Sequence, residues 1–247
     1  NIKALMRAKH SKIPLEDTKR ALIPCGNISG SLVEELFKTN TVEDLLELAK
    51  KKNYIIGADE AIKAYNAKGL CDAENVLDKA YYSDLLSHAE NMPKQGKIIR
   101  AFIETEIDIR NLKLIFRLKR EGFKKEDILK HILYPGAHLG KTELSMLAAT
   151  PSVDELCIAI KKTHYGRILE ESIKKYKDAG SMSPIQTALD KCWLAKADRM
   201  LHQHPLSINP ILGFMLSKEI EYKNIRLIAH VHAFNLPEDV ITENLIA

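Results

Sequence analysis

Apolar residues recur at helical spacing along almost the whole chain. Between Ile98 and Glu121, the residues Ile98, Phe102, Ile109, Leu112 and Phe116 share one face, and Glu106 stands one turn before Arg110. This predicts a helix about 36 Å long at 1.5 Å per residue. Gly122 is placed to end it, since glycine tolerates the left-handed conformation after a last turn. A short helix is predicted from Ile128 to Tyr134, stopped by Pro135-Gly136, and another from a Thr142 cap through Leu147. Thr41 with Asp44, and Ser152 with Glu155, have capping-box spacing. The helices they open finish in Lys50-Lys51-Lys52 and Lys161-Lys162, which suit the negative end of a helix dipole. Ser183, Pro184 and Gln186 read as cap, first-turn proline and N3 glutamine of a helix carrying Ala188, Leu189, Cys192, Ala195 and Met200. Val and Ile sit inside these helical patterns, and no Asn-Gly or Asp-Gly separates alternating runs. The expected fold class is all-α.

The pattern also repeats. Asn1-Ile2-Lys3-Ala4-Leu5-Met6-Arg7-Ala8-Lys9 returns as Asn111-Leu112-Lys113-Leu114-Ile115-Phe116-Arg117-Leu118-Lys119, and again as Asn224-Ile225-Arg226-Leu227-Ile228-Ala229-His230-Val231-His232. Each copy runs into an acidic pair: Glu16-Asp17, Glu126-Asp127 and Glu238-Asp239. Val42-Glu43-Asp44-Leu45 matches Val153-Asp154-Glu155-Leu156, and Leu77-Asp78-Lys79 matches Leu189-Asp190-Lys191. The period far exceeds the roughly 20–50 residues of solenoid repeats, so each unit is a small multi-helix domain. The expected organisation is a first unit over 1–97, a second over 98–209 and the start of a third over 210–247. Asn1 matches Asn111, which lies mid-helix. The first unit is therefore expected to lack its entry helix, and the third everything beyond its second helix.

Composition narrows the chemistry. An apolar fraction of 45% suits a globular core. No apolar run approaches the roughly 20 residues that cross a bilayer, and the start has no secretory-signal pattern. The four cysteines are scattered, with no CxxC, so reduced and mostly buried thiols in a cytosolic protein are expected. Cys25, between Pro24 and Gly26, reads as a structural thiol in a turn. His202-Gln203-His204 and His230-Val231-His232 are HxH pairs, whose side chains on a helix point about 200° apart and do not share a metal. No phosphate-binding, dinucleotide, zincin or nucleophile-elbow motif occurs. No cofactor and no metal are expected.

Two charged clusters remain. Glu104, Glu106 and Asp108 could suggest acid/base work, but Glu219-Ile220-Glu221 partly repeats them, which favours a solvated or ion-pairing face. Lys113, Arg117, Lys119 and Arg120, with Lys124 and Lys125 behind them, form the strongest basic stretch, and Arg7 and Lys9 match it in the first copy. A net charge of +4 and 6% aromatics argue against nucleic acid. A solvated helix face and a protein-partner surface are the two readings of Arg7, Lys9, Lys113, Arg117, Lys119, Arg120 and the equivalent His230.

Taken together, Glu106-Ile107-Asp108-Ile109-Arg110-Asn111-Leu112-Lys113-Leu114-Ile115, Pro210-Ile211-Leu212-Gly213-Phe214 running into Glu221-Tyr222-Lys223-Asn224-Ile225-Arg226, and the closing Leu236-Pro237-Glu238-Asp239-Val240-Ile241 have a specific likeness. The chain resembles the C subunit of archaeal A-type and bacterial V-type ATP synthases, whose eukaryotic counterpart is the d subunit of the vacuolar ATPase. The resemblance implies a funnel of three similar units about an approximate threefold axis, without catalytic activity. It implies a rotor socket between the central shaft subunits and the membrane proteolipid ring, cytoplasmic and held at the membrane only through the complex. Family members begin with a further segment that this chain lacks, and His230 and His232 depart from the basic residues of the other copies. Under threefold symmetry Arg7, Arg117 and His230 would ring the opening and meet an acidic or helix-C-terminal element of the shaft; alternatively they pair with Glu or Asp of a neighbouring helix. Two other functions stay open: a hydrolase using Glu104, Glu106 and Asp108, and a generic helical scaffold for protein partners.

Overall fold

The same turn ends three helices. After His10, Arg120 and Ala233 the chain passes through Lys12, Gly122 and Asn235, all at positive φ (55°, 79° and 49°). The next residue then donates its N–H back into the helix: Ile13 to Ala8 O at 2.8 Å, Phe123 to Leu118 O at 3.0 Å, Leu236 to Val231 O at 2.9 Å. This is the Schellman arrangement, which satisfies carbonyls the helix end would otherwise orphan. Gly122 takes the left-handed conformation without steric penalty; Lys12 and Asn235 adopt it with a side chain.

The structure, a computed structural model, describes residues 1–20, 22 and 29–246. Cys25 and its turn lie outside them. The described residues contain helices and no strand. In chain order these are α1 (Ile2–His10), α2 (Leu15–Arg20), α3 (Gly30–Lys38), α4 (Val42–Lys51), α5 (Ala58–Lys68), α6 (Leu70–Asn91), α7 (Gly96–Arg120), α8 (Lys125–His131), α9 (Lys141–Ala149), α10 (Val153–Ile160), α11 (Gly166–Ala179), α12 (Ser183–His202), α13 (Asn209–Ala233) and α14 (Asp239–Asn244). The order α1 to α6 is repeated by the second half of α7 and α8 to α12, and α13 with α14 begins it again. No helix among the described residues is long and apolar enough to cross a membrane.

The chain divides into two compact units, Asn1–Ser87 and His88–Ala247. The first has a core of Leu5, Met6, Leu36, Leu45, Leu46 and Ala49 from α1, α3 and α4, joined by Ala61, Ala73 and Leu77. The second is built the same way. Leu112, Ile115 and Phe116 of α7 meet Leu144 and Leu147 of α9 and Leu156 and Ile160 of α10, and α11 and α12 add Leu169, Ile185, Leu189 and Trp193. Gly213 brings α13 close to α12: a Cβ there would stand 2.7 Å from Ala197 O and 2.9 Å from Leu201 N.

Local signals match the structure in part. Thr41 and Asp44 form a full capping box. Ser152 accepts from Glu155 N at 3.2 Å. Other boundaries move. The helix expected over Ile128–Tyr134 is α8, three residues earlier. Pro135 keeps Tyr134 out of helical backbone, and the backbone of Leu133 is bonded elsewhere. Gly140, not Thr142, precedes α9 as its N-cap. Met182 is the N-cap of α12, so Ser183 is inside the helix and its hydroxyl donates to Asn244 instead. The buried stripe of α12 is Ile185, Leu189, Trp193, Ala197 and Met200, and Ala195 is exposed.

Candidate interaction surface

The asparagine that opens the second and third copies is a clamp. Asn111, 1% exposed in mid-α7, donates Nδ2–H to Leu133 O at 2.9 Å and accepts Leu133 N–H on Oδ1 at 3.0 Å. Asn224 in α13 does the same to Ile246, at 2.7 and 3.0 Å, and both partners lie 22 residues further along the chain. A primary amide has one donor and one acceptor edge matching a peptide group, so it replaces a missing backbone partner. The corresponding partner of Asn1 falls outside the described residues.

Two residues beyond the asparagine, the repeat fixes an ion pair. Lys3 meets Asp78 of α6 at 2.8 Å, and Lys113 meets Asp190 of α12 at 2.6 Å. Asp190 also takes Lys223 of α13 at 3.2 Å, and Lys223 reaches Glu219 at 2.8 Å. Burial pulls the Lys223 ammonium down, but hydrogen bonding to Glu219 and the charge of Asp190 outweigh it and hold it above its ordinary value.

These partners sort the basic residues. Lys113 is occupied in its ion pair. Arg7 grips Glu74 through Nε and Nη2, both at 2.6 Å, which raises its pKa; its side chain is still 61% exposed. Lys9 donates to Phe37 O at 2.9 Å and to Thr39 O, closing the end of α3, and desolvation lowers its pKa. Lys119 is half-buried and lowered for the same reason. Arg117 and Arg120 stand exposed in the last turn of α7. His230 is exposed on α13 with its ring stacked on Phe234.

The acidic cluster does not converge. Glu104 pairs with Arg100 at 2.7 Å and Glu106 with Arg110 at 2.9 Å, each within α7. Asp108 departs from the solvated face expected of it: it is fully buried. Its Oδ2 accepts the His138 N–H at 2.7 Å and the Tyr165 hydroxyl at 3.1 Å, while Oδ1 has no partner. Desolvation pushes the Asp108 carboxyl above its ordinary value, against those hydrogen bonds. Nearby on α12, burial lowers Lys196 to about 8, and its ammonium donates to Ala101 O at 2.9 Å. Asp108 and Asn111 thus hold one loop, 132–139, against α7. Sequence patterning missed this because an acidic residue on a helix carries no local sign of burial; the signal was its spacing of three from a repeated asparagine.

A cleft of about 880 Å³ opens between α11, α12 and α14, lined by Glu171, Lys175, Lys191, Arg199 and Glu243 among others, with neither Glu104, Glu106 nor Asp108 on its wall. Among the described residues no group of three or more His, Cys, Asp or Glu could hold a metal ion.

Exposed apolar residues gather on α13. Tyr222, Ile225 and Ile228 are 60%, 58% and 37% exposed. Their equivalents in α7, Ile109, Leu112 and Ile115, are at most 5% exposed, covered by α8 to α10. Ile2 and Leu5 of α1 are likewise buried, against α3 and α4.

The described residues thus form an all-helical protein whose asparagines, ion-paired lysines and helix-ending turns recur in register. Comparison with known proteins gives the family. The chain matches the ATP synthase (C/AC39) subunit model over residues 1–244 and belongs to that family. It is 31% identical to the C subunit of the A-type ATP synthase of Methanocaldococcus jannaschii over 100% of this chain and 62% of that protein. To those of Methanococcoides burtonii and Haloferax volcanii it is 32% and 30% identical, again over 100% of this chain and over 67% and 70% of theirs. The chain thus spans roughly two thirds of the length of these relatives.

Proposed function

We propose that this chain is part of a non-catalytic rotor subunit, a socket linking the central shaft of a V/A-type ATP synthase to the membrane proteolipid ring. The observation that carries this is the family match along the chain, supported by a repeat kept at the level of single contacts. In this reading the protein is a funnel of three similar units about an approximate threefold axis, with the second and third units opening near residues 98 and 210. Torque passes because long helices resist shear through backbone hydrogen bonds and interdigitated side chains. The Asp190 node, joining α7, α12 and α13, is such a coupling.

The shaft contact is assigned to the basic helix ends. Arg117 and Arg120 are the free charges, Arg7 reaches out from its pair with Glu74, and Lys9, Lys113 and Lys119 set the local field from half-buried positions. His230 is the third-copy counterpart. Arginine suits an acidic or helix-C-terminal partner because its fork stays charged and offers several donors. The test is co-purification with shaft subunits and proteolipid from detergent-solubilised membranes, with and without Arg117→Glu and Arg120→Glu. Both sites are exposed, so the fold is retained. Shaft recovery should fall, most at low salt where surface charges are least screened. Unchanged recovery refutes the assignment of the basic ends; failure of the unmutated chain to bring down either partner refutes the socket. The hydrolase alternative has no assembled carboxylate pair to support it.

A further inference from the structure

We propose that His138 and His164 form an acid-sensitive latch over the loop that α7 holds. His138 lies in the loop after α8, and His164 in the link between α10 and α11. Their rings are stacked with centroids 3.8 Å apart and planes 17° from parallel, and both residues are exposed. Tyr165 lies beneath, buried, at 5.3 and 6.2 Å from the two rings. Its hydroxyl and the His138 N–H converge on one oxygen of Asp108. The stack is thus the outer end of a chain leading to a buried carboxylate. The titratable groups around it are Lys196 from α12, which acts on His138 directly, Tyr165 beside His164, and Asp108 from α7, which the His138 N–H and the Tyr165 hydroxyl bond.

Two neutral imidazoles stack well, and so do one neutral and one protonated ring. Two protonated rings 3.8 Å apart repel. With water-like screening this weakens the second proton ~6-fold, and Lys196 adds to it. The His138 pKa is correspondingly lowered, first by burial, then by His164 and Lys196. The geometry also rules the pair out as a chelate: nitrogen lone pairs lie in the ring planes, and near-parallel planes this far apart cannot both point at an ion about 2 Å from each nitrogen. When acid brings a second proton to the stack, the like charges 3.8 Å apart repel and relief comes by parting. His138 then draws its own N–H off Asp108, and the loop beside it, held by Ala137 N–H on Glu104 O, loosens with it.

Imidazole titration by NMR and amide exchange at 137–139, on the whole chain, test this. His138 should titrate below the ordinary histidine value. Exchange at 137–139 should rise at least ~5-fold beyond its intrinsic pH dependence between pH 7 and 5. His164→Phe keeps a ring in the stack but removes its charge, so it should raise the His138 pKa and abolish the acid-induced exchange. The latch is overturned if His138 titrates identically in both proteins, or if exchange follows the intrinsic rate. It is equally overturned if Asp108→Asn abolishes the acid response while His164→Phe leaves it, since Asp108 would then be the switch.

Discussion

Replacing Asn111 by alanine isolates the clamp. The substitution leaves Leu133 N–H and C=O buried against α7 without partners. Each hydrogen bond contributes about 1 kcal/mol net, but an orphaned buried group costs about 1–3 kcal/mol. Two groups give about 2–6 kcal/mol, the lower end applying if water reaches the gap. Asn224→Ala serves as the internal control. Its bonds have the same geometry but the site is only half-buried, so water can replace the amide and the cost should be about 1 kcal/mol.

The assay is urea unfolding followed by tryptophan fluorescence. The chain has one tryptophan, Trp193, buried in the core of the second unit that contains both asparagines. With a slope of about 2 kcal/mol per molar urea, Asn111→Ala should lower the midpoint by about 1–3 M and Asn224→Ala by about 0.5 M. Equal, small shifts below about 0.3 M for both would refute the view that the amide replaces a backbone partner.

Three further outcomes follow from the same contacts. A double-mutant cycle of Lys113→Met with Asp190→Asn should show a coupling of about 1 kcal/mol, and Lys223→Met should add a second, smaller one, read by the same unfolding curves. Burial raises the Asp108 pKa, so between its unfolded and folded values the native state holds more protons than the unfolded chain. Stability from this group therefore rises as pH falls through that window and is lost as pH rises through the folded value; Asp108→Asn should flatten the trend in urea midpoints measured from pH 4 to 7. Lys12→Gly should slow amide exchange in α1 by stabilising the left-handed turn by about 1 kcal/mol, whereas Gly122→Ala at the equivalent turn should destabilise by a similar amount, measured by unfolding.

The helices were legible because periodicity reports burial on one face, and the repeat told which faces correspond. Thr41 with Asp44 and Gly122 carry their conformation locally, so they read directly. What patterning missed depends on distant partners. Ser183 looks like a cap, yet Met182 takes the cap position and the hydroxyl goes to Asn244. The end of α8 is set by the Asn111 side chain, which bonds the Leu133 backbone from a helix that no window around residue 131 contains. The basic residues at the helix ends were found as a set, but sequence could not separate Lys113, neutralised by Asp190, from Arg117, which is not held in that way.

The repeat turns α1, α7 and α13 into three readings of one helix. The apolar residues after the asparagine point the same way in each, so what differs is what lies against them. In α1 and α7 two further helices cover that face and the residues are buried; in α13 it is bare, although Asn224, the turn at Asn235 and the bond from Leu236 to Val231 form as in the other copies. The clamp and the turn therefore do not depend on that cover. Local geometry comes first, set by the asparagine and the left-handed residue, and it presents an apolar stripe already aligned for a helix pair. Burying three such side chains is worth about 1.5–3 kcal/mol each, enough to hold a pair of short helices whose own propensity would leave them marginal. The long helices carry the repeated contacts while the short ones serve as packing, the division of labour that the proposed socket role calls for.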